Sequence, residues 1–160
     1  MTDLGHVTFH RDDGGREAAG FKGRAGDCVT RAIAIASGRP YQEIYDRLAE
    51  GNATQRMSRR ERQSNSRTGR KTARHGIFTK RKWFKDYMKE LGFKWVACMG
   101  IGTGCQVHVR ADELPSEGRL VLNLSKHCVA YVDGVLRDTY DCSREGTRCV
   151  YGYYIMEEDA

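Results

Sequence analysis

A chain of 160 residues can fold as one domain with a real core, and no apolar run in it approaches the roughly 20 residues that cross a bilayer. Hydrophobic residues make up 39% and charged residues 30%, which excludes a membrane-embedded protein and leaves a soluble one with a heavily charged surface. The net charge of +6 is concentrated: residues 56–94 hold 14 Lys+Arg against three acids, a net of +11, and the remainder holds 13 against 18, a net of −5.

The N-terminal stretch MTDLGHVTFHRDDGG lacks the charged-then-apolar pattern of an export signal, so a cytoplasmic location is expected. Residues 1–24 read as irregular, with DDGG and GFKG as turns. A first helix is predicted from about Cys28 to Ser37, because Val29, Ala32, Ile33 and Ala36 recur at helical spacing. Asp27 is its expected N-cap, and Gly38 its natural stop. Pro40 suits the first turn of a second helix over about 40–50, with Tyr41, Ile44, Tyr45 and Leu48 on one face.

The next stretch, GNATQRMSRRERQSNSRTGRKTARHG, is basic and nearly free of large apolar residues. It predicts a long mobile loop at about 51–76. A third helix follows from Thr79 to Leu91, with Trp83, Phe84, Tyr87, Met88 and Leu91 as a core-packing face and Gly92 as its end. The second half reads as strands: FKWVAC, CQVHV, RLVLNL, HCVAYV, VLRDTY and RCVYGYYIM, all rich in β-branched and aromatic residues. Helices first and strands after predict one α+β domain over residues 1–160, its N-terminal helices packed on an antiparallel β-sheet.

Six cysteines are present: Cys28, Cys98, Cys105, Cys128, Cys142 and Cys149. Without an export signal, reduced thiols are expected. There is no CxxC pair, and the seven-residue separations 98–105 and 142–149 are not zinc spacings, so neither a metal nor any other cofactor is expected. Most of these thiols should be small core residues. His75 and His108 read as solvated.

The dipeptide Asp133-Gly134 within VDGV is a strong two-residue hairpin turn. Counting outward pairs Val132 with Val135, and sets Val129 opposite Asp138 and His127 opposite Tyr140. Facing residues share a side, as do residues two apart, so His127, Val129 and Asp138 lie on one face. Asp138 falls on the diagonal from His127, within reach of a carboxylate–imidazole hydrogen bond. Cys128 has the opposite parity and is expected in the core, while Cys142 follows the hairpin without an assigned task. Cys28 opens the first helix, where the positive end of the dipole and a nearby imidazolium both favour the thiolate. Cys28, His127 and Asp138 therefore form a candidate nucleophile, base and orienting carboxylate if the sheet packs against the start of that helix.

A helix opened by GDC and a later hairpin KHCVAYVDGVLRDTYD resemble the papain-like cysteine peptidase superfamily, and also small cysteine-peptidase-like proteins of bacteria and phages. The resemblance implies a papain-like fold and a thiol hydrolase that cleaves a peptide or isopeptide bond in a protein or peptide substrate through an acyl-enzyme. It assigns the catalytic positions to Cys28, His127 and Asp138. The family holds its oxyanion partly with a Gln upstream of the nucleophile, and here no Gln or Asn precedes Cys28. Lys22 and Arg24 are the oxyanion candidates, with His6 and His10 as further substitutes. A different reading makes the basic segment 56–94 the functional part of a non-catalytic protein. In that reading Arg59, Arg60, Arg62, Arg70, Lys71 and Arg74 would hold nucleic acid or an acidic protein. No membrane partner is expected.

Overall fold

The structure is a computed structural model, and it describes residues 5–20, 27–54, 81–99 and 102–157, with side chains of 52–54 excepted. In chain order the elements are β1 (Thr8–Arg11), α1 (Cys28–Ser37), α2 (Tyr41–Thr54), α3 (Lys82–Glu90), β2 (Phe93–Ala97), β3 (Val107–His108), β4 (Arg119–Leu124), β5 (His127–Val132), β6 (Val135–Asp138), β7 (Cys149–Val150) and β8 (Gly152–Met156). The fold is α+β, as expected. Among the described residues no helix is long and apolar enough to cross a membrane.

The main sheet has six strands in the order β1-β6-β5-β4-β8-β2, and β3 and β7 pair apart from it. The expectation of an antiparallel sheet is corrected at one edge, where β1 runs parallel to β6 with Thr8↔Val135 and Arg11↔Asp138. The same strand overturns the irregular reading of residues 1–24. It is only four residues long and mostly exposed, so its own sequence carries little signal. What makes it a strand is the open edge of β6, whose unpaired backbone groups need a partner.

Strand parity sorts the core. Val121 of β4, Cys128 and Ala130 of β5 and Tyr154 of β8 turn to the helices, where they meet Ile33 and Ala36 of α1, Ile44 and Leu48 of α2 and Phe84 and Met88 of α3. The alternate residues Leu120, Leu122, Val129, Tyr131 and Leu136 turn the other way and are covered by Val7, Val109, Leu114 and Cys142. The third helix thus buries the predicted aromatic face, with Phe84, Tyr87 and Met88 inside and Trp83 and Leu91 packed beside them. Helix α2 extends through Thr54, so positions 51–54, expected in the loop, are helical. The remainder of that loop lies outside the described residues.

The hairpin follows the predicted register, with Val132↔Val135 and Ala130↔Arg137. Asp133 and Gly134 both adopt positive φ, 48° and 82°, as a type I′ turn requires. The last predicted strand divides at Tyr151, whose carbonyl accepts from the N–H groups of both Cys98 and Met99. The expectation of reduced thiols fails at Cys105 and Cys149, which form a disulfide. Pairing of His108 with Cys149 between β3 and β7 is what draws the two together: their Cα atoms are 5.9 Å apart, inside the range a disulfide spans.

Candidate active site

Helix α1 begins at Cys28 and packs along β5, so its first turn sits over the start of that strand. His127 is the first residue of β5, delivered by the tight β4–β5 connection in which Leu124 pairs with His127 and Lys126 takes a φ of 54°. Asp138 is the last residue of β6. The three sequence-predicted residues are therefore all at element ends, on one side of the molecule. By parity the β5 residue facing α1 is Cys128, and His127 stands at the strand's end, close enough to Cys28 for each to shift the other's protonation.

The His127 Nε2 and Asp138 Oδ2 atoms are 2.6 Å apart, a charge-assisted hydrogen bond between largely buried groups. The other carboxylate oxygen is already occupied. Asp138 Oδ1 accepts from the Thr139 N–H at 2.7 Å and from the Arg31 guanidinium at 3.4 Å. With Nε2 committed to Asp138, Nδ1 is the ring nitrogen left to exchange a proton with a thiol. Cys28 and His127 are close enough for each to shift the other's protonation, and the hydrogen bond of the Cys128 thiol goes to Asn123 Oδ1 at 3.4 Å.

These contacts set the charge states. The Cys28 thiol is drawn down to about 4, chiefly by the neighbouring Cys128 thiol, with burial opposing and the His127 ring and its charge assisting. Burial pushes His127 down, but hydrogen bonds with Asp138, Cys142 and Cys28 outweigh it and raise the ring to about 12. Asp138 resists burial and stays below the usual carboxylate range because His127 holds its charge. Cys128 is pushed well up, first by the influence of Cys28 and then by burial. The two shifts favour a thiolate at Cys28 and an imidazolium at His127.

Several participants were not legible as such. Asp27 does not cap α1 with its side chain. Its buried carboxylate instead accepts from Arg31 and from the Tyr41 hydroxyl, and pairs with Arg16 Nε at 3.2 Å. Arg31 is 3% exposed and joins Asp27 to Asp138, tying the helix that carries the thiol to the strand that carries the carboxylate. The available signal was an arginine inside the apolar run CVTRAIAIAS, one helical turn after Asp27. Cys142, unassigned in the sequence, is buried with its sulfur within 4.8 Å of the His127 and Asp138 ligand atoms. Tyr140, 52% exposed, lies beside His127 with ring centroids 5.6 Å apart, as the counted register anticipates.

Among the described residues, His127, Asp138 and Cys142 bring ligand atoms within 4.8 Å of one another, a set that could hold a metal ion. The 2.6 Å separation of Nε2 and Oδ2 fits a shared proton. Two donors on a tetrahedral zinc at ~2.1 Å stand ~3.4 Å apart, and Arg31 already supplies a cation to this carboxylate.

The oxyanion candidates Lys22 and Arg24 lie outside the described residues, as do Arg59, Arg60, Arg62, Arg70, Lys71, Arg74 and His75. His6 and His10 are exposed, and His10 sits on edge strand β1 opposite Arg137. His108 is not simply solvated: its Nδ1 is 3.1 Å from Glu113 Oε1. Comparison of the chain with protein-family models, with curated proteins and with solved structures finds no match.

Proposed function

We propose that this protein is a papain-like thiol hydrolase that cleaves a peptide or isopeptide bond. The reading rests on one observation: a cysteine opens α1 near an imidazole whose Nε2 is held at 2.6 Å by a buried carboxylate. In such a site the Cys28 thiolate attacks the carbonyl carbon, forming the C–S bond and a tetrahedral oxyanion. The backbone N–H of Cys28 is among the amides a helix start leaves without an intrahelical partner, which suits it to donate to that oxyanion. The His127 imidazolium gives its proton to the leaving amine as the C–N bond breaks. The neutral ring then takes a proton from water, hydroxide attacks the thioester, and the acid product leaves with the thiolate restored. Asp138 keeps the ring oriented and its positive charge stabilised throughout.

Iodoacetamide and a fluorogenic peptide or isopeptide panel test this directly. Cys28 should be the first thiol alkylated near pH 6, and His127→Ala should abolish both that selectivity and hydrolysis. Equal alkylation of Cys28 in the two proteins, or hydrolysis surviving in Cys28→Ala, defeats the reading.

The second reading, a basic segment that holds nucleic acid or an acidic protein, is supported by the net +11 over residues 56–94. It is compatible with the first if that segment recruits the substrate.

A further inference from the structure

Outside the Cys28, His127 and Asp138 set, a second group of reactive side chains gathers around the Cys105–Cys149 disulfide. Cys149 opens β7 opposite His108 of β3, so their side chains share a face, and Cys105 lies three residues before His108. His108 Nε2 stands 3.5 Å from the Cys105 sulfur. The other ring nitrogen, Nδ1, is 3.1 Å from Glu113 Oε1, which also accepts from the His108 backbone N–H at 3.3 Å. Glu113 Oε2 meets Arg110 Nε at 3.4 Å, so both carboxylate oxygens are held. A surface His–Glu pair by itself is worth little. Here the far nitrogen of the ring meets a sulfur. A disulfide sulfur and an ionised carboxylate only accept, so the ring satisfies both when each nitrogen carries a proton. Cys105 is exposed, and Cys149 and His108 are half-buried, so the bond is open to a small thiol from solvent.

We propose that the Cys105–Cys149 bond is a thiol–disulfide exchange site for a dithiol reductant, with His108 easing the departure of the Cys105 thiolate and Glu113 positioning the ring. The inference goes beyond the proposed hydrolysis and uses none of its residues. One thiolate of the reductant attacks the Cys149 sulfur. An S–S bond forms between them, the Cys105–Cys149 bond breaks, and its electron pair stays on Cys105. The His108 imidazolium beside that sulfur stabilises the new thiolate and then gives it the Nε2 proton. The neutral ring takes a proton from the reductant's second thiol. That sulfur attacks the reductant sulfur of the mixed disulfide and displaces Cys149, which is protonated from solvent. The sum is one protein disulfide and one dithiol giving two protein thiols and a cyclic disulfide; the proton lost to solvent when the first thiol ionised returns at Cys149. Placement of the ring at Cys105 makes Cys105 the leaving sulfur and Cys149 the attacked one.

The test uses the full chain with glutathione or dithiothreitol, followed by acid quench, alkylation, digestion and tandem mass spectrometry. A brief pulse of glutathione, a monothiol, should leave the mixed disulfide on Cys149 and an alkylated Cys105. Cys105 is the more exposed sulfur, so accessibility alone would direct attack there, and the effect of the ring is read against it. Dithiothreitol should free both thiols. His108→Gln should slow that release about tenfold and spread glutathione over both cysteines. Glu113→Gln, which keeps the shape and loses the charge, should slow release and weaken the preference for Cys149. A substitution that only loosened β3 would expose the bond and speed its reduction, so slowing separates the chemistry from packing. Glutathione found mainly on Cys105 of the wild-type protein, an unchanged or faster release in His108→Gln, or no Cys105–Cys149 crosslink before reduction overturns the proposal. The wild-type mapping decides the matter even if a variant fails to fold. Peptide hydrolysis is assayed separately, so failure of that activity and failure of exchange are told apart.

Discussion

At Asp138 the two carboxylate oxygens have different tasks. Oδ1 is held by the Thr139 N–H and Arg31, and Oδ2 alone meets the imidazole, so the carboxylate cannot rotate away from the ring without losing two other partners. Asp138→Asn keeps the shape but removes the charge that supports the imidazolium. The His127 ring should then titrate lower, and the rise of Cys28 alkylation with pH should move from about 4 toward the ordinary thiol value. A pH–rate profile unchanged by the substitution would contradict the role given to Asp138. The same residues make stability depend on pH. Cys28 is depressed from 9.0 to about 4, so its contribution is complete above 9.0 and is lost as pH falls toward 4. His127 is raised from 6.5 to about 12, so its contribution is complete below 6.5 and is lost as pH rises toward 12. Between 6.5 and 9.0 the two slopes oppose, and stability from this site should be broadly flat there and fall on both sides. Urea midpoints across pH should show the acid-side loss reduced in Cys28→Ala, with an alkaline loss remaining from the His127–Asp138 pair.

At the scale of elements, the site depends on how α1 is fixed on the sheet. Two kinds of contact do this. Ile33 and Ala36, fully buried, seat the helix against β4 and β5. Ile33→Ala should cost ~2–5 kcal/mol in urea denaturation, the range for a large-to-small change at a packed site. Arg31 sets the helix along its axis by bridging Asp27 and Asp138. Arg31→Met leaves two buried carboxylates short of a cation and should destabilise by about 3–5 kcal/mol, the range for breaking a buried pair. It should also lower the Cys28 alkylation rate at pH 6 in protein that is still folded, whereas Ile33→Ala should leave that rate nearly unchanged. Equal rates in the two variants would remove the positioning role from Arg31. Strand β1 braces the opposite side of the site: Asp12 N–H donates to the Asp138 carbonyl at 2.9 Å, extending the pairing one residue past the strand.

Across the whole molecule, charge and chemistry are separated along the chain. The thiol, ring and carboxylate lie in segments whose net charge is negative, and the basic excess belongs to residues 56–94. If that excess serves to recruit an acidic partner or nucleic acid, deleting residues 56–74 should abolish salt-sensitive retention on immobilised nucleic acid and leave Cys28 labelling intact. Retention that persists after the deletion would place the binding surface elsewhere.

The hairpin was legible in advance because it is local. Asp133-Gly134 fixes the turn, the turn fixes the register, and period-two alternation then puts His127 and Asp138 on one face, all within twelve residues. Helix α1 was legible for the same reason, its apolar spacing and Gly38 lying within one short stretch. Tertiary structure alone decided what joins segments far apart in the chain. It paired β1 in parallel with β6 and turned Asp27 from a cap into a buried ligand of Arg31. It bonded Cys105 to Cys149 and brought the Cys142 sulfur to within 4.8 Å of the His127 and Asp138 ligand atoms. A side chain's local spacing says which face of its own element it occupies. Which distant group waits opposite that face depends on how the sheet stacks against the helices, and so do the charges of a buried thiol and imidazole.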